Sequence, residues 1–162
     1  VAPSQRWLDQ IPWPLRSVAA GTAGTTVMTL AYALERRARR SPVGTPLDWD
    51  DSDVPGKIVV SILHLGQVTE EQDIQLGKIL RWSYGSAFGL WHGVLRRRVR
   101  EPWASLAFAS TLLGATFSLF PLLGRTPPPW RWSRAYLLTC LITHAAYVVT
   151  VGAVDNTLRD VS

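Results

Sequence analysis

Cysteine is almost absent: Cys140 is the only one in 162 residues. That excludes an internal disulfide and a cysteine-based metal cluster. Charge is absent from two long stretches, 102–123 and 135–154, which hold no Asp, Glu, Lys or Arg. The chain contains no P-loop, no dinucleotide fingerprint and no nucleophile motif. A cleavable leader is not expected, because the first sixteen residues carry charges and prolines in place of an apolar core. No acid interrupts an apolar run, which weighs against a proton-coupled or cation transporter. These absences turn the reading away from catalysis, and no enzymatic activity is expected.

What is present is segregated. The hydrophobic fraction of 47% and mean hydropathy of +0.08 match an ordinary soluble chain. Yet eight of the twelve acids lie within 35–75, and the arginines sit in short blocks beside the apolar runs. That partition describes membrane spans joined by polar loops. The net charge of +5 is therefore assigned to anionic lipid headgroups, with Arg36, Arg37, Arg96, Arg97, Arg98 and Arg100 as the contacts, and not to nucleic acid. Trp7, Trp13, Trp82, Trp103, Trp130 and Trp132 flank the apolar runs, where indole rings favour the interface.

The expected fold is all-α: a single membrane domain over 1–162, built as an integral membrane bundle of four transmembrane helices. An interfacial segment, 1–16, comes first; Pro12 and Pro14 bar a regular helix through it. The candidate spans are 17–34, 76–97, 103–123 and 135–154, with a polar loop and a short helix over 35–75. The first is rich in small residues (Ala20/Gly24, Gly21/Thr25), which permit close backbone approach. A capping box at Thr69-Glu-Glu-Gln72 places a helix start near Glu70. Gly85, Gly89 and Gly93 line one face of the second span, and Ser110, Gly114 and Ser118 line one face of the third. These two faces are expected to dock on each other. Pro121 is expected to end or kink the third span.

The second span is the doubtful member, since its uncharged part, 82–95, covers only about 21 Å of helix. Snorkelling by Lys78 and Arg81 recovers the missing length. The alternative is three spans plus a re-entrant or buried helix. Four spans divide the basic residues seven against ten, whereas three divide them twelve against five, as positive-inside prefers.

Few residues carry chemistry. His92 and His144 are the candidates for a haem or pigment ligand. His92 lies within about 60° of the glycine face, so it points into the bundle. The two sit roughly 10 Å apart along the membrane normal, which argues against one shared haem. A hydrogen-bonded structural role is expected for both, with no cofactor and no metal. Glu35 is expected to pair with a nearby arginine. Asp48, Asp50, Asp51 and Asp53 do not make an EF-hand, because Asp53 and Val59 stand where Gly and Glu are required.

Three stretches, GTAGTTVMTLAYALERRARR, LRWSYGSAFGLWHGVLR and GATFSLFPLLGRTPPP with the His-bearing helix that follows it, resemble the uncharacterised YagU-like proteins of the bacterial inner membrane. The resemblance implies a multi-pass four-helix protein of that membrane and supplies no catalytic residues. The reading that follows is a structural or accessory subunit, packed against membrane lipids and against itself or other membrane subunits. A small oligomeric transporter or channel is one alternative, and a pigment- or haem-binding subunit is another.

Four spans place Arg37 and Arg98 on opposite faces of the membrane. An impermeant thiol reagent should then label Arg37→Cys from one side only and Arg98→Cys from the other. Labelling of both from the same side selects three spans.

Overall fold

The computed structural model describes residues 11–40, 54, 58–59, 62–63, 69–124 and 126–160. The DWDDSD loop, His64 and residues 1–10 of the interfacial segment lie outside these. Among the described residues there are four long helices and no strand: α1 (Trp13–Ala38), α2 (Glu70–Arg96), α3 (Trp103–Leu123) and α4 (Arg134–Asp160). Two of them, α3 and α4, are long and apolar enough to cross a membrane.

The helix ends follow local chemistry. α1 begins four residues before the expected 17, with Pro14 in its first turn, where no backbone N–H is required. α2 starts on its capping box: Thr69 Oγ1 accepts from Gln72 N at 3.3 Å, and Thr69 N donates to Gln72 Oε1 at 3.0 Å. α3 keeps the predicted bounds and runs two residues past Pro121. A 3₁₀ turn, Pro129–Arg131, leads into α4, whose first turn is capped by Ser133 Oγ accepting from Tyr136 N at 3.1 Å. α4 extends six residues beyond the predicted 154.

The helices alternate in direction, and α1 packs closely on both α2 and α4. The glycine stripe of α2 docks on α1 and not on α3, which corrects the expected pairing. A Cβ on Gly21 would lie 2.6 Å from Ser86 O and 3.0 Å from Gly89 Cα. One on Gly89 would strike Ser17 O and come within 2.8 Å of Gly21 Cα. Gly85 meets Thr25, and Gly93 meets Ser17. Glycine faces glycine here, so the two backbones touch; the Ser/Gly face of α3 has no such counterpart. Ser110, Gly114 and Ser118 are exposed, and a Cβ on Gly114 would meet nothing within 4 Å.

The hydroxyls of α1 do not oppose this packing. Thr22, Thr25, Thr26 and Thr29 each donate to the carbonyl one turn back, at 2.8 to 2.9 Å. On the adjacent face, about 60° round the helix from Gly21, Gly24 leaves room for Tyr147 and Val151 of α4. The Tyr147 hydroxyl donates across α1 to the Gly85 carbonyl. The main core joins Ala20, Phe108, Leu112, Tyr147, Val148 and Val151. A second core joins Trp132, Tyr136 and Cys140 where α4 begins.

Gly89→Ala should separate α1 from α2 and cost about 3 kcal/mol, whereas Gly114→Ala should stabilise by up to about 1 kcal/mol through helix propensity. Reversible unfolding of both variants in mixed micelles checks this; equal effects would refute the assigned contact.

Candidate functional site

One end of the bundle gathers most of its buried charge. α2 ends there with His92 and Arg96, the α2–α3 turn brings Glu101, α3 begins with Ser105, and α4 ends with Asp155, Asn156 and Arg159. The helix ends suit these residues, since guanidiniums near a C-terminus and a carboxylate near an N-terminus complement the dipole. Glu101 Oε2 accepts from the Ser105 backbone N at 3.1 Å, and its Oε1 accepts from Ser105 Oγ at 2.9 Å. Arg96 Nε lies 3.4 Å from both Glu101 Oε1 and Asp155 Oδ2, and Arg96 Nη2 donates to Asn156 Oδ1 at 2.8 Å. Arg159 Nε donates to Asp155 Oδ2 at 2.8 Å. Two carboxylates therefore face two guanidiniums, and Asp155, with its side chain only 2% exposed, is the centre.

Sequence reading placed Asp155 and Asn156 just past the last expected span, 135–154. The missed signal is their phase: Asp155 follows Tyr147 and Val151 at four-residue intervals, so it continues the buried stripe of α4.

His92, Ser105 and Glu101 bring together the residue types of a nucleophile relay. The connectivity is wrong for one. A relay needs the hydroxyl on one ring nitrogen and the acid on the other. Here Glu101 Oε1 and Ser105 Oγ both approach His92 Nε2, at 3.2 and 3.4 Å. His92 Nδ1 is buried with no partner among the described residues. The ring packs edge-on against Phe108, 5.1 Å between centroids. This cluster fastens α2, α3 and α4 together; it does not activate Ser105.

His144 lies elsewhere. Its Nδ1 donates to the Cys140 carbonyl at 2.8 Å, so Nε2 accepts from Thr116 Oγ1 at 3.2 Å. The α3 partners of the two histidines, Ser105 and Thr116, stand eleven residues apart, about 16 Å along the helix. The structure does not bring His92 and His144 onto one ligand. Among the described residues, no three His, Cys, Asp or Glu side chains could jointly hold a metal ion.

His144 does border a cavity of about 320 Å³ between the four helices. It lies beside the C-terminal half of α3, on the side facing α1 and α2. Met28, Leu80, Phe88, Leu112, Leu119 and Phe120 supply most of its wall, and Ile58 and Val59 lie across it. Thr25 and Thr29 also face it, with their hydroxyl protons given to their own helix. None of the described lining residues is acidic. This volume falls within the range of about 300–1,000 Å³ typical of small-molecule sites.

The arginines divide. Arg37, Arg97, Arg98 and Arg100 are exposed, and Arg97 lies over the Trp13 ring at 5.1 Å. Arg36 and Arg96 are corrected. Arg36 is 1% exposed, with Nη2 donating to Tyr32 Oη at 2.6 Å, and Arg96 is held in the carboxylate cluster; neither is turned to headgroups. Glu35 pairs with Arg39.

No family model matches the chain, and no curated protein or solved structure matches it.

Asp155→Ala should leave Arg96 and Arg159 without their shared partner and cost about 3 kcal/mol. Ser105→Ala should cost no more than about 1 kcal/mol. Chemical unfolding in micelles checks both; a larger loss at Ser105 would place the weight of the cluster at Glu101.

Proposed function

We propose that this chain is a multi-pass membrane protein with four spans, serving as a structural or accessory subunit that assembles with itself or with other membrane subunits. The observation that carries the reading is the orientation of the apolar surface. Only 17% of the most apolar stretch of α3, and 39% of that of α4, is buried within the bundle. A core helix of a soluble protein would be mostly buried. Leu106, Leu119, Leu122, Leu138, Leu141, Ile142 and Val149 face outward instead, as lipid contact requires. α2 supports a fourth span: it is one unbroken helix of 27 residues, about 40 Å long, running antiparallel to α1 and α3. The likeness to the YagU-like proteins, and with it the bacterial inner membrane, belongs to this proposal.

The exposed Ser110, Gly114 and Ser118 offer a small-residue face to which another helix can come close. The pigment-ligand alternative is less well supported, because both ring nitrogens of His144 already have protein partners.

Alkaline carbonate washing should leave the chain in the membrane pellet; its release into the supernatant would overturn the membrane reading. Gly114→Leu should reduce self-association or partner recovery at least about fivefold in mild detergent, with resistance to unfolding not weakened, because its Cβ enters open space and Leu favours the helix over Gly. An unaltered assembly would remove this face from the reading.

A further inference from the structure

The two ends of the bundle treat their buried arginines differently. Arg96 and Arg159 face carboxylates. At the other end, Arg36 and Arg81 have no acid within ion-pair distance among the described residues. Both guanidiniums stack on one ring, that of Tyr32, at 4.9 Å for Arg36 and 5.9 Å for Arg81. Arg36 is 1% exposed, and its Nε and Nη1 are buried with no hydrogen-bond partner among the described residues. A buried cation left in that condition is costly unless an anion completes it. Arg81 lines the apolar cavity, and Arg36 lies beyond the lining, joined to Arg81 through the shared Tyr32 ring.

We propose that this cavity is a binding site for an anionic amphiphile with a phosphate head and an acyl tail. The head is held by Arg36 and Arg81, whose planar forks suit phosphate oxygens. The tail lies along Phe120, Leu119, Thr116 and Leu112, a depth of about 12 Å on α3. The wall is apolar, and its threonines at 25 and 29 have their protons engaged, so a hydrocarbon leaves no donor stranded there. The head lies on the side where α1 ends and α2 begins. In the proposed membrane placement, on which this assignment rests, that is a headgroup level.

The test uses the full chain in zwitterionic nanodiscs, titrated by calorimetry with dodecyl phosphate, with dodecyl maltoside as the neutral-headed control and with inorganic phosphate as the tail-less one. Dodecyl phosphate should saturate at one per chain, and neither control should compete with it. Arg81→Gln and Arg36→Gln should each weaken binding about tenfold. Arg81 is only half-buried, so its variant keeps the test open if Arg36→Gln fails to fold. Ala115→Phe, which fills the cavity, should abolish binding with helicity retained. Equal binding of the neutral amphiphile would overturn the role of the arginines. Equal competition by inorganic phosphate would make this a bare anion site and overturn the tail. Binding that appears only after Asp48, Asp50, Asp51 and Asp53 are changed to Asn would show that the chain's own loop holds the arginines, and would also overturn it. Carbonate washing reports on membrane placement separately, so the two readings can fail independently.

Discussion

Everything in this bundle depends on the contact of the α1 and α2 backbones at Gly21, Gly85 and Gly89. In the proposed membrane placement there is little hydrophobic drive for helices to associate, so van der Waals contact and hydrogen bonds supply the cohesion. Both fall off steeply with distance. Gly21 and Gly89 let α2 approach until its backbone meets that of α1. The same approach sets Thr22 Oγ1 2.9 Å from Ser86 Oγ and brings the Gly85 carbonyl within reach of the Tyr147 hydroxyl. Since Gly24 also admits Tyr147 and Val151, α1 becomes the hub between α2 and α4. Its threonine content, which makes it look weakly hydrophobic as sequence, is tolerated because each of those hydroxyls bonds back to its own helix.

α3 is attached differently. Near its start, Phe108 is clamped between His92 and Tyr147, and Glu101 and Ser105 join the charged cluster. Towards its other end Thr116 bonds to His144 and Phe117 packs on Trp132, so α3 stays on α4 and the cavity lies towards α1 and α2. Buried ion pairs of this kind add little net stability over an apolar packing, because desolvation offsets most of the attraction. Their contribution is to fix which helix end meets which. With α3 held by aromatic contacts and polar bonds instead of backbone contact, its α4 side can be tight while space remains towards α1 and α2.

Local signals were legible in the sequence and long-range ones were not. The uncharged run set the bounds of α3, and the capping box set the start of α2, because both are encoded locally. The glycine stripe announced a close helix contact but not its partner, since Ser110, Gly114 and Ser118 advertise the same property as Gly21. His92 was correctly placed on an inward face by its angle to the glycines. Its partner Glu101, nine residues on across the turn, went unseen, and the phase that buries Asp155 does not disclose its partner Arg96, 59 residues away. Arg36 read as one member of a basic block; only packing separates it from exposed Arg37. The cavity is a property of how three helices diverge, which no single helix records.

The contrast between the two ends bears on how such a bundle could hold a ligand without losing its shape. If α3 were free at both ends, filling or emptying the cavity would displace it as a rigid body. Because Glu101, Ser105 and Phe108 tie its start to α2 and α4, and Thr116 and Phe117 tie its second half to His144 and Trp132, α3 is fixed to α4 along its length. α1 and α2 need not separate either, since their backbones already touch at Gly21 and Gly89. Arg81 therefore lines space that exists between fixed helices, whereas Arg96 and Arg159 stand at the end closed by their carboxylate partners.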